Sequence, residues 1–173
     1  NGNQITGFYP GAMSRQASFA YPGLDPEKDL AIISPGNVED MRRLPLFYRE
    51  KRIPYIYDPG QQLPVLSADD LRNSIEGAFA LVTNDYELHM ICNQTGLGEE
   101  ELLGRALWLV TTLGGQGCRV RGADGTDERI SAVEVTDVKD PTGAGDAQRA
   151  GLLKGLALGL SVPEAARIGA VTA

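Results

Sequence analysis

Asp140-Pro141-Thr142-Gly143-Ala144-Gly145-Asp146-Ala147 runs without a break into Gln148-Arg149-Ala150-Gly151-Leu152-Leu153-Lys154-Gly155-Leu156-Ala157. The pattern predicts a helix over 144–160, with the glycines at its N-terminus. Gly143 and Gly145 let backbone N–H groups turn toward one point without a Cβ in the way. Unpaired N–H groups and the helix dipole favour an anion there. Asp146, in the first turn, sets a carboxylate beside that anion, where it is suited to taking a proton from a hydroxyl that attacks phosphorus. The same residues also fit a plain helix start, with glycine ahead and an acid in the first turn.

Outward from this stretch, short β-type runs alternate with helical ones. Strands are predicted over 31–34, 55–58, 78–83 and 107–113, followed by a hairpin pairing 118–121 with 130–135. Helices are predicted over 38–51, 68–76, 86–95 and 99–105, and an apolar helix over 165–173. Asn37 and Ser67 are N-cap candidates with acids following them. Such alternation gives an α/β fold with a mostly parallel sheet covered by helices on both faces. Residues 18–29, with Pro22, Gly23 and Pro26, read as an exposed loop.

Bulk properties restrict the function. A chain of 173 residues is about one domain and long enough for a real core. Its net charge of −7 argues against non-specific nucleic-acid binding. No apolar run reaches the roughly 18–20 residues of a membrane span, and no signal peptide is recognisable at the start. Cys92 and Cys118 are too few for a disulfide framework or zinc site and fit reduced thiols of a cytoplasmic protein. His89 stands alone and reads as a helix-surface residue. Partners are therefore expected to be small molecules, with a homodimer left open.

Three further groups carry chemistry. Thr111-Thr112-Leu113-Gly114-Gly115-Gln116-Gly117 follows an apolar strand, where glycines admit a ligand close to the backbone; a hairpin-entry turn would use the same residues. No Gly-Lys-Ser/Thr follows, so it is not a Walker A loop. Asn84 and Glu87 share one face of a helix start. Their oxygens could hold Mg²⁺ through its waters, or serve as a capping box. Asp58-Pro59-Gly60 closes a strand near the same edge. Arg149 reads as one half of a structural ion pair.

Taken together, these segments resemble the ribokinase-like (PfkB) family of carbohydrate and nucleoside kinases. The octapeptide is similar to the family's C-terminal D-T-x-G-A-G-D-[AS]-F signature, with Gln148 where Phe is common. Thr112-Leu113-Gly114 and Gly117 resemble its T-L-G-x-x-G nucleotide loop, and Asn84 to Glu87 its N-x-x-E motif. The resemblance implies a three-layer α/β/α fold with a mostly parallel sheet, and ATP-dependent phosphoryl transfer. It implies Asp146 as base and Gly143, Ala144 and Gly145 as the anion hole. It places ATP against Asn84, Thr112, Leu113, Gly114 and Gly117, and hydrated Mg²⁺ at Asn84 and Glu87. Asp140 and Thr142 would take a monovalent cation, usually K⁺.

The opening Asn1-Gly2-Asn3-Gln4-Ile5-Thr6-Gly7-Phe8-Tyr9-Pro10-Gly11-Ala12-Met13 resembles a run in prokaryotic adenosine and broader nucleoside kinases of the family. It implies a nucleoside acceptor, adenosine first and a sugar second, with residues 1–13 in or near the lid and a strand over 5–9. Family members have roughly 300 residues. Residues 1–173 are accordingly expected to be one partial kinase domain, cut at both ends. Such a fragment alone is expected to bind nucleotide at most, without efficient turnover.

Overall fold

The computed structural model describes residues 9–135 and 140–173. Six strands form one sheet in chain order: β1 (Ala31–Ile33), β2 (Tyr55–Tyr57), β3 (Ala80–Asn84), β4 (Trp108–Thr112), β5 (Cys118–Gly122) and β6 (Asp127–Ile130). The first four are parallel and the last two antiparallel. Between them lie α1 (Val38–Glu50), α2 (Ala68–Ile75), α3 (Asp85–Thr95) and α4 (Glu99–Leu103). Helices α5 (Ala144–Ala157) and α6 (Val162–Thr172) follow the sheet.

Strand alternation divides the core in two. Tyr55, Tyr57, Leu81 and Leu109 point to one face and pack with Met41, Leu71, Ile75, Ile91 and Leu102 of α1–α4. Ile56, Val82, Val110 and Val120 point to the other and pack with Leu152, Val162, Ala165 and Ala166 of α5 and α6. Burying one such aliphatic side chain contributes about 1.5–3 kcal/mol. The expected three-layer α/β/α architecture is present. Because β1, β2, β3 and β4 are parallel, their C-terminal ends share one edge, the usual location of an α/β ligand crevice.

Local chemistry explains most boundaries. The Asn37 side chain accepts from the Glu39 and Asp40 N–H groups, and Ser67 with Asp70 forms a capping box for α2. Pro45 inside α1 cannot donate to Met41, and the Ser74 hydroxyl makes a long 3.5 Å contact to that carbonyl instead. Residues 18–29 form neither helix nor strand, as expected, but Tyr21 and Leu24 pack against the core. Asp40 ties in the preceding segment by accepting from the Ala17 N–H at 2.7 Å.

Two expectations are corrected. The second hairpin strand is Asp127–Ile130, not 130–135, because the Asp124-Gly125 turn sets the register at Arg121↔Asp127. The Thr126 N–H donates to Asp124 Oδ1 at 2.9 Å to close that turn. The helix predicted over 144–160 ends at Ala157, and the next begins at Val162 rather than 165. Gly159 at φ +78° stops the first, while Glu164 accepts from the Ser161 N–H and hydroxyl to start the second. The strand expected over 5–9 lies outside the described residues except for Tyr9. The Pro-Gly turn that follows is a 3₁₀ turn, Gly11–Ser14.

Gln148 departs most from its surroundings. It is 3% exposed between α5 and α6, and neither Oε1 nor Nε2 has a partner among the described residues. An unsatisfied buried amide costs about 1–3 kcal/mol. Gln148→Met, which keeps the volume and removes both polar atoms, is expected to raise stability by about 1–2 kcal/mol in urea titrations of the complete protein.

Candidate active site

The C-terminal edge of the parallel strands gathers residues from four separate segments. Asp58 directly follows β2, Asn84 ends β3, Thr112 ends β4, and Asp146 lies in the first turn of α5. The Asp58 carboxyl is 3% exposed, and burial pushes its pKa above the ordinary carboxylate value. Arg149 opposes that shift, whereas the nearby carboxylates of Glu87 and Asp146 add to it. Three acids and one guanidinium thus feel one another at this edge.

At the start of α5, Gly143 is the N-cap at φ +85°. The Ala144 N–H turns back to the Pro141 carbonyl at 3.2 Å. The next two N–H groups, of Gly145 and Asp146, have no backbone acceptor among the described residues. The Gly143 N–H has no acceptor among the described residues either, so the donors available to an anion are those of Gly143, Gly145 and Asp146, while that of Ala144 closes the turn. Asp146 is exposed and can meet a ligand. Asp140 Oδ1 accepts the Thr142 N–H at 2.9 Å, and the Thr142 side chain and backbone hold the Asp140 carboxyl below its ordinary pKa.

Asn84 and Glu87 do form a capping box. Asn84 Oδ1 accepts the Glu87 N–H at 2.7 Å, and Glu87 Oε2 accepts the Asn84 N–H at 2.8 Å. What remains for a ligand is the Asn84 amide NH₂, a donor, and Glu87 Oε1, an acceptor. This donor set fits a cation that keeps its water shell, as Mg²⁺ does, better than direct ligation. No cluster of three or more His, Cys, Asp or Glu side chains able to hold a metal occurs among the described residues.

The Thr112-to-Gly117 segment is a closed turn. Leu113 N–H donates to the Gly117 carbonyl at 2.7 Å, and Gly117 N–H to the Gly114 carbonyl at 2.9 Å. Thr112 Oγ1 donates weakly to the Thr83 carbonyl at 3.4 Å, joining the ends of β3 and β4. Gly117 has φ +89°, and a Cβ there would lie 1.9 Å from the Ile130 carbonyl oxygen. The hairpin-entry role and the loop's position at the ligand edge therefore coexist.

A cavity of about 290 Å³ lies elsewhere, between α3, α4 and the β4–β5 face. It is lined by Leu88, His89, Cys92, Glu99, Arg119 and Arg121 among others, and by none of the expected site residues. His89 is exposed on α3, as expected for a surface residue. Cys92 and Cys118 are free thiols, half-buried and buried, whose pKa values burial raises.

The sequence named Asp58 and Arg149 separately, but not as partners. Arg149 Nη2 donates to Asp58 Oδ1 at 2.9 Å across 91 positions of chain. No local spacing announces such a pair.

Residues 41–173 match the family described as pfkB family carbohydrate kinase. The chain is 31% identical to a nucleoside kinase of Methanocaldococcus jannaschii over 99% of its own length and 55% of that protein's. A nucleoside kinase of Burkholderia thailandensis, solved with inosine, superposes with a TM-score of 0.77 and 40% identity, over 82% of this chain and 48% of that one. Its ligand-free form superposes with a TM-score of 0.83 and 38% identity, over 98% and 55%. The chain thus spans about half the length of the relatives it matches. The Thermotoga maritima ribokinase, 19% identical with a TM-score of 0.64 over 82% of this chain and 46% of that one, shares the fold.

Gly117→Ala tests the closed turn. Its Cβ would strike backbone rather than a movable side chain. Overpacking and left-handed strain together are expected to cost about 2–4 kcal/mol. Urea denaturation of the complete protein measures the loss.

Proposed function

The chain belongs to the pfkB family of carbohydrate kinases, and we propose that the protein carrying it transfers the γ-phosphoryl group of ATP to the 5′-hydroxyl of a nucleoside. The observation that carries this proposal is the exposed Asp146 carboxylate beside the N–H groups of Gly143, Gly145 and Asp146 itself, which have no acceptor among the described residues, at the strand edge. A base and an anion site one peptide apart suit a hydroxyl attacking phosphorus. In this reading the Gly145 and Asp146 N–H groups hold the transferring phosphoryl oxygens. The Asp146 carboxylate accepts the proton as the hydroxyl attacks. The Asn84 amide donates to phosphate oxygens, and the Thr112–Gly117 turn borders the nucleotide.

Mg²⁺ held through water by Glu87 would neutralise charge on the phosphates. In the same reading a monovalent cation such as K⁺ would lie at Asp140 and Thr142, where Asp140 Oδ1 accepts the Thr142 N–H and Oδ2 is left as an acceptor.

Support for a nucleoside acceptor comes from the Asn3-to-Met13 run and from similarity to nucleoside kinases, that of Burkholderia thailandensis having been solved both in complex with inosine and in complex with ADP-inosine. Adenosine remains the first acceptor to test. A second reading, a polyol or sugar acceptor, draws on 44% identity to an inositol 3-kinase of Arabidopsis thaliana over 61 residues. Residues 1–173 alone are expected to turn over poorly, since in-line transfer needs a held acceptor and the chain spans about half the length of its relatives.

In the complete protein, Asp146→Asn is expected to lower kcat by roughly 10²–10⁴ with little change in ATP binding. Near-normal turnover would remove Asp146 from the chemistry.

The acceptor is identified by ATP consumption with adenosine, inosine, other nucleosides, ribose, inositol and fructose 6-phosphate. Adenosine or another nucleoside should react fastest. Faster reaction of a sugar or polyol would reverse the acceptor assignment while leaving the kinase intact.

A further inference from the structure

Helix α5 reaches the strand edge from the opposite side of the sheet to α1–α4, so something must fix how its first turn is presented. Arg149 does this. Its side chain is 13% exposed and faces the Asp58 carboxylate, itself 4% exposed: Nη2 donates to Oδ1 at 2.9 Å, while Nε lies against Oδ2 as an ion-pair contact without hydrogen-bond geometry. Arg149 lies three positions beyond Asp146, so both project from one face of the helix. The guanidinium also crosses the backbone of the same turn, where a Cβ on Gly145 would sit 2.8 Å from Nη1. Gly145 leaves room for this close approach, which a Cβ would meet by displacing the end of the Arg149 side chain; its own φ is ordinary.

Building on the phosphoryl-transfer reading above, we propose that Arg149 and Asp58 are positioning residues: their buried ion pair, one hydrogen bond with a second nitrogen against the other oxygen, sets the rotation of α5, and with it the direction of the Asp146 carboxylate and of the Gly145 and Asp146 N–H groups toward the reacting phosphoryl group. A side chain about 5 Å from the helix axis moves about 2 Å when the helix turns by ~20°. Misplacement of a reacting group by about 1 Å can cost 10²-fold in rate. Stability alone does not call for an ion pair at this place, because well-packed apolar residues serve a buried position equally well or better. The two-point geometry of guanidinium on carboxylate supplies what they lack, a defined orientation.

The test uses the complete protein, with kcat, ATP KM and Tm measured for wild type, Arg149→Lys and the double variant Asp58→Asn/Arg149→Met. The double variant removes both charges together, so no unpaired ion is left buried. It is expected to keep Tm within about 5 °C, to leave ATP KM within about threefold, and to lose kcat by about 10–100-fold. Arg149→Lys keeps the charge but not the fork, and is expected to lose kcat about 10-fold with Tm preserved. Wild-type kcat in either folded variant overturns the proposal and reduces the pair to a structural tie. Should the double variant not fold, Arg149→Lys decides alone. A wild-type protein without acceptor-dependent ATP consumption sinks the kinase reading and this proposal together, whereas an active wild type with unaffected variants sinks only the positioning role.

Discussion

The contact between Arg149 and Asp58 is the constraint on which the arrangement of the site depends. It is the buried polar link between the layer carrying α5 and the strand edge carrying Asn84 and Thr112. Removing both ions from water is expensive, and the raised pKa of Asp58 registers that cost. Arg149 offsets it only while the geometry is held, since an unpaired buried charge costs about 3–5 kcal/mol. Small rotations of α5 that a purely apolar contact would tolerate are thereby penalised. Helix packing contributes to the same end. Gly151 and Gly155 let α5 approach α6 so closely that added Cβ atoms would meet Gly169 Cα at 2.6 Å and Ala165 Cα at 2.5 Å. Such an interface slides poorly.

Residues at the edge hold the structure together and still keep groups free for the proposed ligands. Asn84 and Glu87 each use one oxygen to close the start of α3. A carboxylate has two oxygens and an amide has a second end, so each retains a group for a ligand. The cap is part of what makes the site usable. It fixes both side chains in one rotamer, so that the remaining groups are presented without further loss of side-chain entropy. Gly117 shows the same double use in backbone, where the turn that admits hairpin strand β6 also stands at the ligand edge.

What was legible in the sequence follows the range of the forces involved. Asn37, Ser67 and Asn84 act on N–H groups two or three residues away, and their helices begin where those residues predict. The parallel strands were legible because burial on both faces gives short continuous apolar runs, such as Tyr55–Tyr57. The second hairpin strand was misplaced because Val133 and Val135 look β-forming but are exposed, while pairing is dictated by the tighter Asp124-Gly125 turn. Ser161-Val162-Pro163-Glu164 carries a complete helix-start signal, masked by the apolar residues on either side. The residues proposed for the site could be named one by one from their motifs. Their mutual contacts could not, because Asp58 and Arg149 meet only after the sheet and both helix layers have formed.

The two layers contribute unlike things to the edge. From α1–α4 and their strands come rigidly held ends, because β2, β3 and β4 are hydrogen-bonded to one another in register and leave little freedom to Asp58, Asn84 and Thr112. From α5 comes a helix N-terminus where the N–H groups of Gly143, Gly145 and Asp146, without acceptors among the described residues, can receive an anion. A sheet edge alone has only a small net dipole, and a helix end alone has no fixed direction relative to an acceptor. Joining them requires a contact that crosses between layers, tolerates the nearby carboxylates of Glu87 and Asp146, and specifies an angle. A fully buried apolar residue could not offset those charges. A lysine could offset them but would not specify the angle. An arginine does both, which accounts physically for the residue type at position 149.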